Sequence, residues 1–178
     1  MTHVARSHGF REASTTDVAK RAGVSHGLVF AHFATRDALL VEAITALGIE
    51  VTNAMHALVR EGASLRDVLR AHLRCIQDDE EIYARLVSEL PFLPARARSA
   101  WVGVQSAISQ HMSHAYAAGV DAGELERMPV HLMFNTWIGL VHHYVIHREL
   151  FAPGSSVVRK HGPTLVDHFL RLLRKTGD

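Results

Sequence analysis

The chain has 178 residues, of which 48% are hydrophobic and 21% charged. That is enough for one well-buried core or two small domains of an ordinary soluble globular protein. The lone cysteine, Cys75, excludes an intramolecular disulfide and fits a reducing compartment, so a cytoplasmic location is expected. A net charge of +1 excludes a nucleic-acid partner read from bulk charge, so any such partner must be read from a motif.

The opening MTHVARSHGF has no apolar core of the kind a secretory signal needs. From Thr15 to Phe33, TTDVAKRAGVSHGLVFAHF reads as helix, tight turn, helix. Ala19 is small where two helices must cross closely. Gly23 can take the positive φ that ends the first helix. Ser25 caps the second, and Val29 is the apolar plug dropped back onto the first. Thr35 caps a helix from Arg36 toward Val59. Gly62 ends it, and Ser64 with Asp67 forms a capping-box variant that opens the next. Asp78 or Asp79 caps a helix through Leu90, and Pro91 and Pro94 break the chain there. A long helix is predicted from about Arg96 to Ala118, stopped by Gly119, and another from Pro129 to about Arg148. His131, Asn135, His142 and His143 make that last one a buried helix rather than a membrane span. Pro153, Gly154, Ser155 and Ser156 form a loop, and Pro163 opens a final helix to about Lys175. No strand pattern is present. The prediction is all-α with about nine helices, divided into 1–46, whose helix-turn-helix is built to enter the DNA major groove, and an all-helical 47–178.

Gly9 to Leu40 resembles the DNA-binding domain of the TetR family of transcriptional repressors. The resemblance rests on Gly9-Phe10, Thr15-Thr16, Asp17-Val18-Ala19, Ala22-Gly23-Val24-Ser25, Phe30-Ala31-His32-Phe33, Arg36-Asp37 and Leu39-Leu40 in fixed register. Such domains carry a full helix before the Gly-Phe, whereas only Thr2 to His8 precede it here. The native chain is therefore expected to start upstream, or its first helix to fray.

The resemblance implies that His26 to Phe33 is the recognition helix. Val29 and Phe33 should be buried, with His26, Gly27, Leu28, Phe30 and His32 facing outward. Gly27 would let the backbone approach DNA, and Leu28 would touch a thymine methyl. His32, Arg36 and the hydroxyls of Thr15 and Thr16 would reach phosphates, and Ser25 would help as the cap. Thr15 and Thr16 read equally well as plain helix caps. In Met1 to Glu50, Arg6, Arg11, Lys20, Arg21 and Arg36 are cancelled by Glu12, Asp17, Asp37, Glu42 and Glu50. The family commonly has lysine where His26 stands and tyrosine where Phe30 stands. A histidine gains charge below about pH 6.5, so DNA affinity is expected to rise as pH falls.

The remainder resembles the regulatory half of such proteins. The effector pocket would draw on Tyr83, Trp101, Met112, Tyr116, Phe134 and Trp137, for which plain core packing is the competing reading. The dimer interface would use Val141, Tyr144, Phe169, Leu170 and Leu173. Among fourteen histidines, His111/His114 and His143/His147 have one-face helical spacing. No cysteine cluster or HExxH accompanies them, so no metal or other cofactor is assigned. The expected partners are double-stranded operator DNA, a small-molecule effector and a second copy of the chain, with no membrane. The expected function is a ligand-released repressor and not an enzyme. The alternative is a His-rich helical metal-binding protein or enzyme without a DNA role.

Overall fold

The computed structural model describes residues 9–59 and 62–175. The expected short helix over Thr2 to His8 lies outside them. Among the described residues there are nine α-helices and no strand. In chain order they are α1 (Thr15–Ala22), α2 (His26–His32), α3 (Arg36–Leu58), α4 (Leu65–Gln77), α5 (Glu80–Glu89), α6 (Ala95–Asp121), α7 (Val130–Ile146), α8 (Arg148–Phe151) and α9 (Val157–Leu173). A single 3-10 turn, Leu90–Phe92, holds Pro91 between α5 and α6.

The helix starts follow local hydrogen-bond chemistry. Ser64 Oγ accepts from Asp67 N–H, and the Asp67 carboxylate accepts from Ser64 N–H, which is a complete capping box at α4. Thr35 Oγ1 accepts from Ala38 N–H at α3, 3.1 Å. Two predicted boundaries are corrected, at Gly119 and Pro163, and of the two expected cap positions for α5 the one at Asp79 directly precedes the helix. Gly119 does not stop α6, which continues to Asp121, and Gly123 at φ +74° turns the chain instead. A Cβ at residue 119 would lie 2.7 Å from the Leu125 side chain, so Gly119 serves close packing. Asp78 is the C-cap of α4, and α5 begins at Glu80. Pro163 does not open α9; Ser156 caps it from just before Val157, and the proline sits inside the helix on its exposed side.

The chain divides into two compact units, Met1–Glu50 with Glu81–Val104, and Val51–Glu80 with Gln105–Asp178. In the first, Phe10, Ala13, Leu40, Ile44, Leu86 and Ala97 are fully buried. Gly48 of α3 passes so near α6 that an added Cβ would collide with Val104. α3 is long and apolar enough to cross a membrane by length and composition. Burial of Leu39, Leu40, Ala43, Ile44 and Met55 accounts for much of that apolarity.

In the second unit, Trp137 of α7 and Phe169 of α9 meet with ring centroids 5.3 Å apart. Trp137 Nε1–H donates to Nδ1 of the fully buried His72 on α4, 3.2 Å. The His72 ring proton therefore sits on Nε2, which has no partner among the described residues. Burial, with His142 nearby, pushes His72 down to about 3, and burial pushes His142 down to about 4. Burial also raises the Cys75 thiol to about 11, which keeps it protonated and unreactive at neutral pH. The buried carboxylate of Glu80 holds the start of α9. It accepts from Val157 N–H (3.0 Å), Val158 N–H (3.2 Å) and Ser156 Oγ (2.6 Å).

Glu80→Ala leaves two buried N–H groups unpaired, and urea unfolding should show a loss of about 3 kcal/mol; a loss under about 0.5 kcal/mol would contradict the capping role. The two depressed histidines bind fewer protons folded than unfolded. Their stabilisation is complete above about pH 6.5 and is lost as pH falls toward 4 and 3. The slope should reach about 1.4 kcal/mol per pH unit for each. His142→Gln should flatten the urea-midpoint profile between about pH 6.5 and 4.5; an unchanged profile would refute the assignment.

Candidate nucleic-acid interface

α1, the turn and α2 are built from a few matched residues. Ser14, not Thr15 or Thr16, caps α1. Its Oγ accepts from Asp17 N–H, and the Asp17 carboxylate accepts from Ser14 N–H, 3.1 and 3.3 Å. Gly23 adopts φ +69°, its N–H reaching Lys20 O, while Val24 N–H reaches Ala19 O. This paired closure is a Schellman turn, and it needs a residue that tolerates left-handed backbone. Ser25 then caps α2, its Oγ accepting from Leu28 N–H at 3.2 Å. Ala19, Val29 and Leu39 form one buried cluster, with Val18 and Phe33 packed against it. Ala19 is 3% exposed and Val29 7%, so the small residue and the plug meet as their spacing predicts. Phe33 is only partly buried rather than fully inside.

With Val29 inward, α2 turns His26, Gly27, Leu28, Phe30 and His32 to solvent. Leu28 at 46% and Phe30 at 43% exposure are large apolar groups left wet. His26 spans two roles. Its Nε2 lies 3.0 Å from Thr15 Oγ1, and its ring packs edge-on to Phe30 at 4.7 Å. Thr15 is itself buried, so its hydroxyl ties α1 to α2. Thr16 is exposed, and Ser25 is exposed beside its cap bond.

The structure gives Arg36 a different employment from phosphate contact. Its Nε donates to Ala13 O (2.9 Å), and its Nη2 donates to Phe10 O (2.5 Å) and Arg11 O (2.7 Å). The side chain therefore clamps the segment before α1 onto the start of α3. Glu89 secures the same segment from α5, accepting from Arg11 N–H at 2.8 Å. Ser14 with Asp17 has the same capping-box spacing as Ser64 with Asp67, and that local signal marks Ser14 over its threonine neighbours, but nothing local links Glu89 to Arg11. The Arg11 guanidinium also lies over the Phe92 ring, 4.9 Å from its centroid. Lys20 and Arg21, in the last turn of α1, are exposed cations immediately before the turn.

The other candidate sites are placed differently. Tyr83 and Trp101 are buried in the first unit, and Met112, Tyr116, Phe134 and Trp137 in the second. None of the six lines the cavities of about 480, 420 and 220 Å³ found in the second unit. Tyr116 is tied down as structure, its OH donating to Glu126 O and accepting from Met128 N–H. Of the dimer candidates, Val141, Phe169, Leu170 and Leu173 are covered within the chain, and only Tyr144 is partly open. The apolar face of α9 is filled by α4 and α7, so it is not left wet. The two histidine pairs do not converge on one site. His111 faces His56 at 4.4 Å and His143 faces His147 at 4.6 Å, but no three His, Cys, Asp or Glu among the described residues are grouped to hold a metal ion.

Comparison with known proteins bears on this geometry. The profile of "Bacterial regulatory proteins, tetR family" matches residues 2–43. An HTH-type transcriptional repressor of Mycobacterium tuberculosis is 38% identical over 56 residues, which is 32% of this chain and 30% of that relative. The match thus spans under a third of the relative's length. The whole chain has the fold of two crystal structures. FadR from Bacillus subtilis, solved in complex with stearoyl-CoA, superposes with TM-score 0.80 at 16% identity over 95% of this chain and 93% of that one. The regulator PfmR from Thermus thermophilus superposes with TM-score 0.74 at 16% identity, over 96% of this chain and 94% of its own. The amino-terminal segment over residues 2–43 is thus similar to the tetR-family profile, and the fold along the chain is that of these two solved structures.

Proposed function

We propose that the chain is a sequence-specific DNA-binding transcriptional regulator, acting as a cytoplasmic dimeric repressor that a small-molecule effector releases from its operator. The observation that carries this reading is the outward face of α2. Gly27, Leu28 and Phe30 face away from Val29, which is anchored in the Ala19–Leu39 cluster, and the exposed His26 and His32 flank them. A seven-residue helix with two wet apolar side chains is unfavourable as bare surface but suits the floor of a major groove. Leu28 offers apolar contact to a thymine methyl. His32, Thr16 and the cap region at Ser25 offer hydrogen-bond partners for the backbone. Arg36 and Thr15 act as positioning residues, and Lys20 and Arg21 supply charge beside the turn.

A dimer is the form that reaches two successive major grooves, about 34 Å apart. Its surface would be the outward side of α7 and α9, where Leu132, Gly139, His143, Ile146 and Leu172 are open to solvent in full or in part. The first four recur at seven-, four- and three-residue steps, which place them on one stripe of α7. Effector release needs unequal affinity for two dimer geometries, and a coupling of about 1–3 kcal/mol is typical. Stearoyl-CoA bound to the structurally similar FadR supports a ligand-responsive reading.

Fluorescence anisotropy against the chain's own upstream intergenic DNA and a scrambled duplex, at two salt concentrations, tests the reading. Tight binding that prefers the upstream duplex by about tenfold or more supports it; equal weak binding, or none, counts against it. Leu28→Ser should cost about 1 kcal/mol of preference without lowering Tm, since the residue is exposed. Arg36→Ala should lower DNA affinity and Tm together, because three carbonyls lose their donor. Loss of DNA binding by Arg36→Ala at unchanged Tm would instead make Arg36 a direct contact.

A further inference from the structure

The second unit carries a groove between α4 and α9 with a volume of about 220 Å³. It opens beside a close approach of the two helices. A Cβ at Gly162 would stand 3.1 Å from Leu73 Cδ1, so a larger residue there would have to displace the Leu73 side chain. The floor is apolar, made by Leu73, Val158 and Val166, while Arg70, Arg74 and Arg159 stand around it. All three arginines are exposed, and the floor residues are buried.

The charge balance of this wall is one-sided. Asp167, beside Val166 on α9, is already taken by Arg66, whose hydrogen bond holds its carboxyl below the usual range. Arg70 acts on Asp167 only through longer-range attraction. Asp67 is committed to the Ser64 capping box. Among the described residues no carboxylate forms an ion pair with Arg70, Arg74 or Arg159. Guanidinium groups that no carboxylate ion-pairs, set over an apolar floor, repel one another, and an oxyanion relieves that repulsion while its carbon body covers the floor.

We propose that the α4–α9 groove is a binding site for a small amphipathic oxyanion, a carboxylate or phosphate monoester carrying a short aliphatic body. Arg70, Arg74 and Arg159 clamp the head, and Leu73, Val158 and Val166 seat the tail. Gln77, at the same groove, adds an amide N–H for an ester or hydroxyl oxygen. The volume is smaller than the about 300–1,000 Å³ of a drug-sized pocket, which restricts the guest to a short chain. The site stands on the groove's own chemistry and requires no DNA, so it is tested by binding alone.

Isothermal titration of the full chain with octanoate, octyl phosphate, 1-octanol and an Asp/Glu-rich decapeptide separates the possibilities. Octanoate or octyl phosphate should bind below about 1 mM and raise Tm, the stronger of the two naming the preferred head. 1-Octanol should bind at least about tenfold more weakly, because it offers no charge to the arginines. Arg74→Gln and Arg159→Gln should each weaken the anion about fivefold or more at unchanged Tm of the free protein, since both side chains are exposed. Absence of binding by both anions, equal binding of octanol, indifference to both arginine substitutions, or binding of the peptide alone would overturn the proposal.

Discussion

The contact of Ala19 with Val29, closed by Leu39, is the constraint on which the first unit's surface depends. Burying the Val29 side chain contributes about 2 kcal/mol. More important is what it fixes. Once Val29 points inward, the helical period of about 3.6 residues turns residues 27, 28 and 30 away from the core, while His26 and His32, three residues to either side, stay exposed at the edges of the buried stripe. Gly23 makes the inward turn possible, because its left-handed backbone reverses the chain between α1 and the Ser25 cap. Thr15 Oγ1 on the His26 ring, and the Arg36 clamp on Phe10, Arg11 and Ala13 carbonyls, then hold the pair against rocking. A binding surface on so short a helix has to be preorganised from beneath, and each of these contacts does that from a different side.

The second unit follows the same logic with polar groups inside it. Its interior accepts them where they make a specific bond. Glu80 sets its carboxylate at the N-terminus of α9, where otherwise unpaired N–H groups and the helix dipole both favour a negative charge. His72 accepts from Trp137 and stays neutral because burial strongly disfavours a charged ring. Its Nε2–H is one of two exceptions there, with Gln105 Nε2: both are buried donors with no acceptor among the described residues.

How far the sequence could be read divides along the range of the interactions. The α1–α2 unit was legible almost residue by residue, because Ala19, Gly23, Ser25 and Val29 act within one local geometry. The capping box of Ser64 and Asp67 was legible for the same reason. Arg36 was not, since an arginine clamping backbone carbonyls 23 to 26 residues away looks in sequence like one aimed at phosphate. The α9 start was misread because Pro163 is a stronger local signal than Ser156, while Glu80, 76 residues earlier, is what stabilises the true start. Val141, Phe169, Leu170 and Leu173 have an apolar pattern that fits either a core or an interface. Periodicity shows that a face is covered but not whether α4 of the same chain or a second copy covers it.

The most direct test of the central claim is hydrogen–deuterium exchange of the full chain with and without duplex DNA from its own upstream region. The account predicts that exchange slows over Ser25 to Phe33, whose outward face would lie in the groove, with smaller slowing at the start of α1. Unchanged exchange across that segment, under conditions where the duplex is bound, would contradict it.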